Sequence, residues 1–229
     1  MLIGGFQKMT VLDYPEKVAC TVFLTGCNFR CPFCHNASLV TENWIRGVGI
    51  DEIFSYLEKR KGLIDGVCIT GGEPLLNNDI EDLIRPIKSM GYLVKLDTNG
   101  TNPTRLRNLI ENGLVDYVAM DIKNSSEKYA LTCGVKAVNF TKIEESINLL
   151  INGNIDYEFR TTVVEPLHSV EDIEKIGKLI KGAKSLYLQG FVDSGDLIGN
   201  SMNAVNRETM QEMLERVKPY VGYAEIRGV

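Results

Sequence analysis

Three closely spaced cysteines are the part of the sequence with the clearest capacity for chemistry. Cys27, Cys31 and Cys34 have the spacing C-x3-C-x2-C and follow an apolar run that ends at Leu24. Three thiolates this close together can bind three irons of a [4Fe–4S] cube, which normally has four ligands. Because no fourth cysteine follows within the loop, the spacing predicts a cluster with one iron open to a small-molecule ligand.

A zinc site is the alternative for the same residues. His35 directly follows Cys34, and three cysteines with one histidine form a common tetrahedral zinc site. Zinc fingers usually pair their ligands as two separated C-x2-C-like halves, and no second half is present in the sequence. The local spacing therefore favours an iron–sulfur cluster over zinc.

Three further motifs lie at the ends of apolar, strand-like runs. They are Gly71-Gly72-Glu73-Pro74, Asp97-Thr98-Asn99-Gly100 and Asp121-Ile122-Lys123. Paired glycines let a backbone approach a ligand closely, although such a segment can also be an ordinary strand-to-helix turn. A turn cap would explain the first aspartate, and a solvated side chain would explain the lysine. Two carboxylates and a lysine at successive strand ends nevertheless indicate a binding site.

Arg160 is a single charge within the otherwise apolar run Phe159-Arg-Thr-Thr-Val-Val. A buried charge without a partner is costly, so its guanidinium must meet a partner. A structural ion pair and a ligand contact both remain open at this point.

The elements that must position these residues alternate along the chain. Strand candidates are residues 18–25, 66–70, 93–97, 115–121, 157–164 and 185–189. Helical apolar patterns follow them, for example Ile80, Leu83, Ile84 and Ile87. Strand–helix units of this kind imply parallel strands with right-handed crossovers. Six units are two short of a closed eight-stranded barrel, and residues 223–227 are a candidate last edge strand. The sequence therefore predicts an α/β fold, a partial (β/α)6 TIM-like barrel open on one side, as a single domain of residues 1–229.

Composition narrows the class of protein. The 229 residues are 44% hydrophobic and 24% charged, which is ordinary for a globular protein. A formal charge of −5 argues against a nucleic-acid partner. We find no signal-peptide pattern and no run of about 20 apolar residues, so we expect no membrane contact and a cytoplasmic location. Cys20 and Cys68 lie in apolar runs as core thiols, and Cys133 lies in a predicted loop; the cluster should need none of the three.

On these motifs the sequence resembles the radical S-adenosylmethionine (SAM) enzymes, whose signature is this loop with an aromatic residue, here Phe33, before the third cysteine. Within them it is most similar to the activating enzymes of glycyl-radical enzymes. Those of anaerobic ribonucleotide reductase and of pyruvate formate-lyase match along nearly the whole chain. Asp13-Tyr14-Pro15 also fits the family pattern, but Glu16 stands where the family has glycine.

The resemblance implies a cofactor set and a residue set. It implies a [4Fe–4S] cluster on Cys27, Cys31 and Cys34, at which SAM is reductively cleaved to a 5′-deoxyadenosyl radical. It implies SAM-binding roles for Phe33, Gly71, Gly72, Glu73, Pro74, Asp97, Thr98, Asn99, Asp121, Lys123 and Arg160. A monovalent cation held by Asp97, Thr98, Asp121 and the Ala119 carbonyl is a further expectation, because hard cations prefer oxygen ligands.

The chain is close to a minimal barrel in length, which suits a substrate that is itself a folded protein. We therefore expect a glycyl-radical enzyme as partner, and we favour anaerobic ribonucleotide reductase. Residues 13–16 and the long loop 193–206 are candidates to line the entrance for this partner. Three scattered thiols cannot build a second cluster, so flavodoxin or ferredoxin should supply electrons. Two alternatives are a small radical SAM enzyme acting on a small molecule such as a deazapurine precursor, and a zinc-bearing interaction module.

Overall fold

The computed structural model describes residues 1–42, 44 and 46–228. Its strands are β1 (Ile3–Thr10), β2 (Ala19–Leu24), β3 (Gly66–Gly71), β4 (Leu93–Thr98), β5 (Tyr117–Asp121), β6 (Asp156–Glu165), β7 (Ser185–Gly190), β8 (Asn203–Ala204) and β9 (Tyr223–Arg227). Its α-helices are α1 (Ala37–Thr41), α2 (Ile50–Lys59), α3 (Ile80–Ser89), α4 (Pro103–Glu111), α5 (Tyr129–Thr132), α6 (Phe140–Ile151), α7 (Val170–Leu179) and α8 (Arg207–Val217). Short 3-10 turns cover Pro74–Leu76 and Lys218–Tyr220. None of the helices in these described ranges is long and apolar enough to cross a membrane.

The chain divides into two compact units. Unit 1 consists of residues 1–28, 38–98 and 102–118. Unit 2 consists of residues 29–37, 99–101 and 119–229.

In unit 1 the strands β2, β3 and β4 are parallel, and β1 lies antiparallel against β2. The register pairs Leu24 with Gly71, so the segments that follow β2 and β3 begin at the same edge of the sheet. The strands β2 and β3 are mostly buried and apolar, and α3 buries Ile80, Leu83, Ile84 and Ile87 as its periodicity predicts. This edge is where the first cysteine and the paired glycines are placed.

In unit 2 the strands β6, β7 and β9 are parallel, and β8 pairs antiparallel with the end of β6. The expected edge strand at residues 223–227 is therefore present as β9. The helix α7 begins with a capping box, in which Ser169 and Asp172 satisfy each other's backbone amides. The capping box thus fixes where the backbone turns from the end of β6 into this helix.

The expected α/β fold is confirmed, with a sheet of many parallel strands that is not closed. Every strand candidate is present, with ends shifted by two residues or fewer. The long loop 193–206 contains β8, and the Gly199 amide donates to the Pro32 carbonyl at 2.8 Å. That loop is therefore tied to the segment that carries the second and third cysteines.

The turn at Asp13–Glu16 and the first cysteine lie at opposite ends of β2. It precedes β2, whereas Cys27 follows β2, and six extended residues span roughly 20 Å. That this turn lines an entrance for the partner stays a prediction. Glu16 adopts a left-handed φ of 59°, so this residue holds the turn conformation that glycine would adopt without strain.

Candidate functional site

The paired glycines Gly71 and Gly72 bring the Gly-Gly-Glu-Pro segment against the backbone at the end of β2. The Gly72 amide donates to the Leu24 carbonyl and the Glu73 amide donates to the Gly26 carbonyl, both at 2.8 Å. A Cβ on Gly72 would lie 1.9 Å from the Gly26 oxygen, and Gly71 has a φ of +118°. Only glycine permits this approach. The backbone that leads into the first cysteine is therefore fixed by the glycine motif.

Glu73 and Thr98, two predicted cofactor residues, are bonded to each other. The Glu73 carboxylate is buried and accepts hydrogen bonds from the Thr98 hydroxyl at 2.8 Å and from the Leu75 amide at 3.0 Å. This carboxylate caps the 3-10 turn that begins at Pro74. The bond joins the glycine motif to the end of β4, so both residues have a structural role whatever they bind.

Asp97 forms an ion pair with Lys95, a residue that the sequence analysis missed. Lys95 is only 1% exposed, and its ammonium contacts the Asp97 carboxylate. The Cys68 sulfur lies 3.9 Å from the Lys95 nitrogen and 3.8 Å from an Asp97 oxygen. The signal that singled out Arg160, a charge inside an apolar strand, also applies to Lys95 and would have found it.

The part of the cysteine loop that lies in unit 2 carries Cys31 and Cys34. The Cys34 amide donates to the Cys31 carbonyl at 3.1 Å, so these two cysteines lie on one turn. Phe33 is buried and packs edge-on against His168, with ring centroids 6.3 Å apart. His35, the residue of the zinc alternative, stacks on Phe191 at 5.9 Å. Phe33, the aromatic residue of the cysteine motif, is thus a core side chain of this unit.

Cys133 lies beside Cys31, which the sequence analysis did not foresee. It is fully buried directly after α5, and its thiol is hydrogen-bonded to Cys31. This hydrogen bond lowers the pKa of Cys31 to about 7, aided by the charge of Lys123 and opposed by burial. The pKa of Cys34 is instead raised by burial. Since the thiolate is the metal ligand, the surroundings of Cys31 suit ligation.

Asp121, Lys123 and Arg160 form one charged cluster in unit 2. Asp121 accepts from the Lys123 ammonium at 2.9 Å and from Arg160 Nε at 3.0 Å. Desolvation alone would raise the pKa of Asp121, but the charges of Arg160 and Lys123 outweigh it and hold that pKa well below its usual value. The Asp121 charge likewise holds the pKa of Lys123 above its usual value against desolvation. The structure thus brings together three of the predicted site residues, and the partner of Arg160 is Asp121.

His168 contacts the backbone of Lys123, one of the residues of this charged cluster. Its Nε2 lies 2.8 Å from the Lys123 carbonyl, and the Val164 amide donates to its Nδ1 at 3.2 Å. With the proton on Nε2 the ring donates to that carbonyl, and burial lowers the pKa of His168. The neutral imidazole therefore fixes the backbone of Lys123 and packs against Phe33.

The side chain of Asn99 stabilises the turn that follows β4. Its side-chain oxygen accepts from the Thr101 amide at 3.0 Å and from the Thr101 hydroxyl at 2.7 Å. This is the Asx-turn arrangement. A cofactor contact through the remaining atoms of Asn99 stays a prediction.

In the described part of the chain, no group of three or more His, Cys, Asp and Glu side chains forms a metal site as placed. Joint ligation by Cys27, Cys31 and Cys34 therefore stays a prediction. The donor set itself fits an iron–sulfur cluster, because it consists of thiols and one of them has a lowered pKa.

The comparisons with known proteins agree with these features. Residues 21–181 match the model of the radical SAM superfamily. A Methanocaldococcus jannaschii protein with the provisional name glycyl-radical enzyme activating enzyme MJ1227 is 35% identical over 100% of this chain and 96% of its own length. The chain belongs to the radical SAM superfamily, in the branch of glycyl-radical-enzyme activating enzymes.

A further relative and one solved structure add to these matches. The pyruvate formate-lyase-activating enzyme of Clostridium pasteurianum is 25% identical over 80% of this chain and 78% of its own length. A solved radical SAM methyltransferase from Sphaerobacter thermophilus covers 94% of this chain and 67% of its own length, with a TM-score of 0.75 at 14% identity. The second likeness shows the fold and confirms the open barrel. Membership of the superfamily implies a [4Fe–4S] cluster and SAM.

Proposed function

We propose that this radical SAM enzyme binds a [4Fe–4S] cluster through Cys27, Cys31 and Cys34 and installs a glycyl radical on a partner enzyme. Anaerobic ribonucleotide reductase is the partner we favour. The observation that carries the proposal is the C-x3-C-x2-C loop in a chain similar over its whole length to an activating enzyme. The turn joining Cys31 and Cys34 supports it, since it presents two thiols from one short segment.

The cluster, when bound, supplies the electron that cleaves SAM and so generates the radical that abstracts hydrogen. The residues of the chain are proposed to bind SAM and to orient it. Lys123 is the proposed partner of the cofactor carboxylate, because its pKa is held high and it stays charged. Asp121 fixes this ammonium in place and is itself paired with Arg160. Phe33 keeps water from that side of the loop because it is buried.

The motifs at the ends of β3 and β4 are assigned to the rest of the cofactor. The backbone of Gly71, Gly72, Glu73 and Pro74 is proposed to receive the methionine ammonium, since glycine leaves the carbonyls accessible. Asp97, Thr98 and Asn99 are proposed to meet the ribose. Glu73 bonds to Thr98, Asp97 pairs with Lys95 and Asn99 bonds to Thr101. These four side chains are therefore held in place before the cofactor arrives.

A monovalent cation on Asp97, Thr98, Asp121 and the Ala119 carbonyl is a finer part of the proposal. Its support is the chemistry of these oxygens. Asp97 and Asp121 each already pair with a protein cation, so we expect the added ion to bind weakly. SAM cleavage that is the same in sodium, potassium and tetramethylammonium chloride would refute this part.

We also propose external electron supply and a cytoplasmic location. All six cysteines are free, and Cys20 and Cys68 are buried within β2 and β3. Those two thiols cannot join Cys133 in a second cluster, which needs four ligands. Flavodoxin or ferredoxin is therefore the proposed donor, in a compartment that keeps thiols reduced.

The deciding experiment uses a partner deuterated at its glycine α-carbons. The reconstituted enzyme, SAM and a reductant are incubated anaerobically with deuterated anaerobic ribonucleotide reductase. Deuterium should appear in 5′-deoxyadenosine, and the partner should show a doublet electron paramagnetic resonance (EPR) signal of a glycyl radical. Pyruvate formate-lyase serves as the comparison partner. If deuterium comes instead only from a labelled deazapurine precursor, the small-molecule alternative replaces the proposal.

The ligand set is tested separately by iron analysis. Cys27→Ser, Cys31→Ser and Cys34→Ser should each lose the cluster, whereas Cys20→Ser and Cys68→Ser should retain it. Absorbance near 400 nm and iron counting report this without a partner protein. A Cys31→Ser variant with normal iron content, or wild-type protein holding zinc in place of iron, would refute the assignment.

A further inference from the structure

A row of polar side chains crosses the parallel strands of unit 1 on one face of the sheet. The register pairs Thr21 of β2 with Cys68 of β3, and Cys68 with Lys95 of β4. Asp97 lies two residues beyond Lys95, and side chains two residues apart in a strand share a face. The Lys95 ammonium contacts the Asp97 carboxylate, and the Cys68 sulfur lies 3.9 Å from that ammonium and 3.8 Å from an Asp97 oxygen. These three side chains therefore form one polar cluster that reaches the end of β4.

Burial distinguishes the two members of the ion pair. Lys95 is 1% exposed, whereas the Asp97 side chain is 14% exposed. The residues flanking Lys95 in β4, Val94 and Leu96, are apolar and fully buried. Replacing a buried ion pair by apolar side chains is often neutral or stabilising, so stability alone does not explain a lysine at this position. The lysine is better explained by what it does to the more exposed Asp97 carboxylate.

The backbone and the side chain of Asp97 are held by different contacts. The hydroxyl of the next residue, Thr98, donates to the buried Glu73 carboxylate at 2.8 Å, which anchors the backbone at the end of β4. The Lys95 ammonium anchors the Asp97 side chain through a hydrogen bond between charged groups, which is among the stronger kinds. An ionised carboxylate has about four acceptor sites, so it can accept from an ammonium and from two hydroxyls together.

We propose that Lys95 is a positioning residue for SAM, whose buried ammonium fixes the Asp97 carboxylate as an acceptor for the ribose hydroxyls. This inference rests on the ribose contact proposed for Asp97 and is independent of the partner enzyme. Without the ammonium, Asp97 would carry a charge that is mostly withdrawn from water and that Lys95 no longer balances. The carboxylate would turn toward solvent or take up a proton, and either change weakens its hydrogen bonds to a diol.

The test measures SAM binding to the cluster-reconstituted enzyme by anaerobic calorimetry, with no reductant present so that SAM is not cleaved. Lys95→Met removes the ammonium and keeps a long unbranched side chain in its place. The second ligand is the 2′,3′-dideoxyribose analogue of SAM, which lacks both hydroxyls. Lys88→Met is the matched control, because Lys88 pairs with Asp116 at 2.6 Å in the same unit and Asp116 accepts from the Val94 amide of β4.

Lys95→Met should raise the Kd for SAM about tenfold, near the low end of the loss of a hydrogen bond to a charged group. The Kd for the analogue should change by less than about twofold, since its sugar has no hydroxyl to donate to Asp97. Lys88→Met should leave both constants at their wild-type values. An equal loss for the two ligands in Lys95→Met would indicate a general distortion and overturn the inference, as would an unchanged Kd for SAM.

Asp97→Asn shows whether Lys95 acts through Asp97. This change alone should weaken SAM binding, and adding Lys95→Met to it should cause no further loss. A further loss equal to that of Lys95→Met alone would overturn the inference. An Asp97→Asn variant with wild-type affinity for SAM would overturn the ribose contact and the inference together. Weak binding in Asp97→Asn beside wild-type binding in Lys95→Met would overturn the role of Lys95 alone, and failure of the partner assignment would leave every binding constant unaffected.

If Lys95→Met fails to fold, Lys95→Gln decides with the same two ligands. The glutamine amide carries no charge, and its nitrogen lies one bond closer to the backbone than the lysine ammonium does. Asp97 is then held less firmly, as in the methionine variant. The Kd for SAM must rise more than the Kd for the analogue, and any other result overturns the inference.

Discussion

At the scale of single residues, Asp121 is the acid on which the charged cluster depends. It neutralises two cations, Lys123 and Arg160, whose side chains are 17% and 15% exposed. Removing an acid from such a set leaves the cations facing each other with little water to screen them. Removing this carboxylate should therefore lower stability by more than breaking an ordinary surface ion pair does.

We predict that Asp121→Asn lowers the free energy of unfolding by about 2 kcal/mol, which is less than the cost of about 3–5 kcal/mol for breaking a fully buried pair because the site is partly exposed. The measurement is urea unfolding of the cluster-free protein. The control is Glu81→Gln, which breaks an exposed ion pair with Arg85 on one face of α3 and should cost under about 0.5 kcal/mol. Equal losses in the two variants would contradict the role assigned to Asp121.

The charged residues also mark what sequence reasoning can reach. The charge of Arg160 inside an apolar strand correctly predicted a partner. That partner is Asp121, at the end of the preceding strand β5. Lys95 carries the same signal and pairs with Asp97. Cys133 carried no local signal, because its contact with Cys31 joins positions 102 residues apart. Contacts of that kind depend on how loops pack, which neither periodicity nor spacing encodes.

At the scale of elements, the two glycines after β3 determine how closely that strand end approaches the end of β2. A side chain at Gly72 would meet the Gly26 carbonyl. The backbone cannot give way there without breaking the two hydrogen bonds that tie the strand ends together. Any added atom must therefore disturb the segment that leads into the first cysteine.

We predict that Gly72→Ala destabilises the protein by about 3 kcal/mol, at the upper end of the cost of overpacking, and reduces iron per chain. The matched control is Gly49→Ala, since Gly49 has a φ of −70° and no heavy atom within 4 Å of a built Cβ. That change should cost no more than about 1 kcal/mol, because Gly49 is the N-cap residue of α2 and alanine is a poorer cap than glycine. Thermal unfolding and iron analysis report the two effects. A Gly72→Ala variant as stable and as iron-rich as Gly49→Ala would refute the close-approach argument.

The start of α7 depends on Asp172, which is 3% exposed. Its carboxylate accepts from the Ser169 amide at 2.9 Å and pairs with the Lys128 ammonium at 2.6 Å. Burial alone would raise the pKa of Asp172, but the Lys128 ammonium and Ser169 outweigh it, so the pKa is lowered in the folded state. A lowered folded pKa means that the stabilisation is present above the ordinary value of about 4 and is lost as pH falls below it.

Asp172→Asn should therefore cost about 1–2 kcal/mol of stability at pH 7, and the difference from wild type should shrink as the pH falls below about 4. Asn206→Ala is the control, because Asn206 caps α8 through its side-chain oxygen, which does not titrate in this range. Its cost of about 1 kcal/mol should not vary with pH. Urea unfolding at several pH values measures both, and a pH-independent loss in Asp172→Asn would contradict the assignment.

Element prediction succeeded where the sequence pattern is long and failed where it is short. The helices α3, α4, α6, α7 and α8 have nine or more residues with apolar positions on one face. The sequence analysis did not assign α1, α2 or α5. The first and last of these have five and four residues, too few to establish a helical period. In α2 only Ile53 and Leu57 are buried, so its apolar face is narrow.

At the scale of the whole molecule, the placement of the thiols bears on electron supply. Cys20 and Cys68 are interior to strands of unit 1, and Cys133 is buried in unit 2. With the three loop cysteines set aside, the chain has three other thiols, one fewer than a four-cysteine cluster requires. The protein should thus hold a single cluster and receive each electron from outside.

We predict about four irons per chain after anaerobic reconstitution, which is the content of one [4Fe–4S] cluster. SAM cleavage should then require an external one-electron donor, and reduced flavodoxin or ferredoxin should replace a chemical reductant. The triple variant Cys20→Ser, Cys68→Ser and Cys133→Ser serves as the control, because it should keep the same iron content. About eight irons in the wild type, falling to about four in the triple variant, would instead indicate a second cluster built from those thiols.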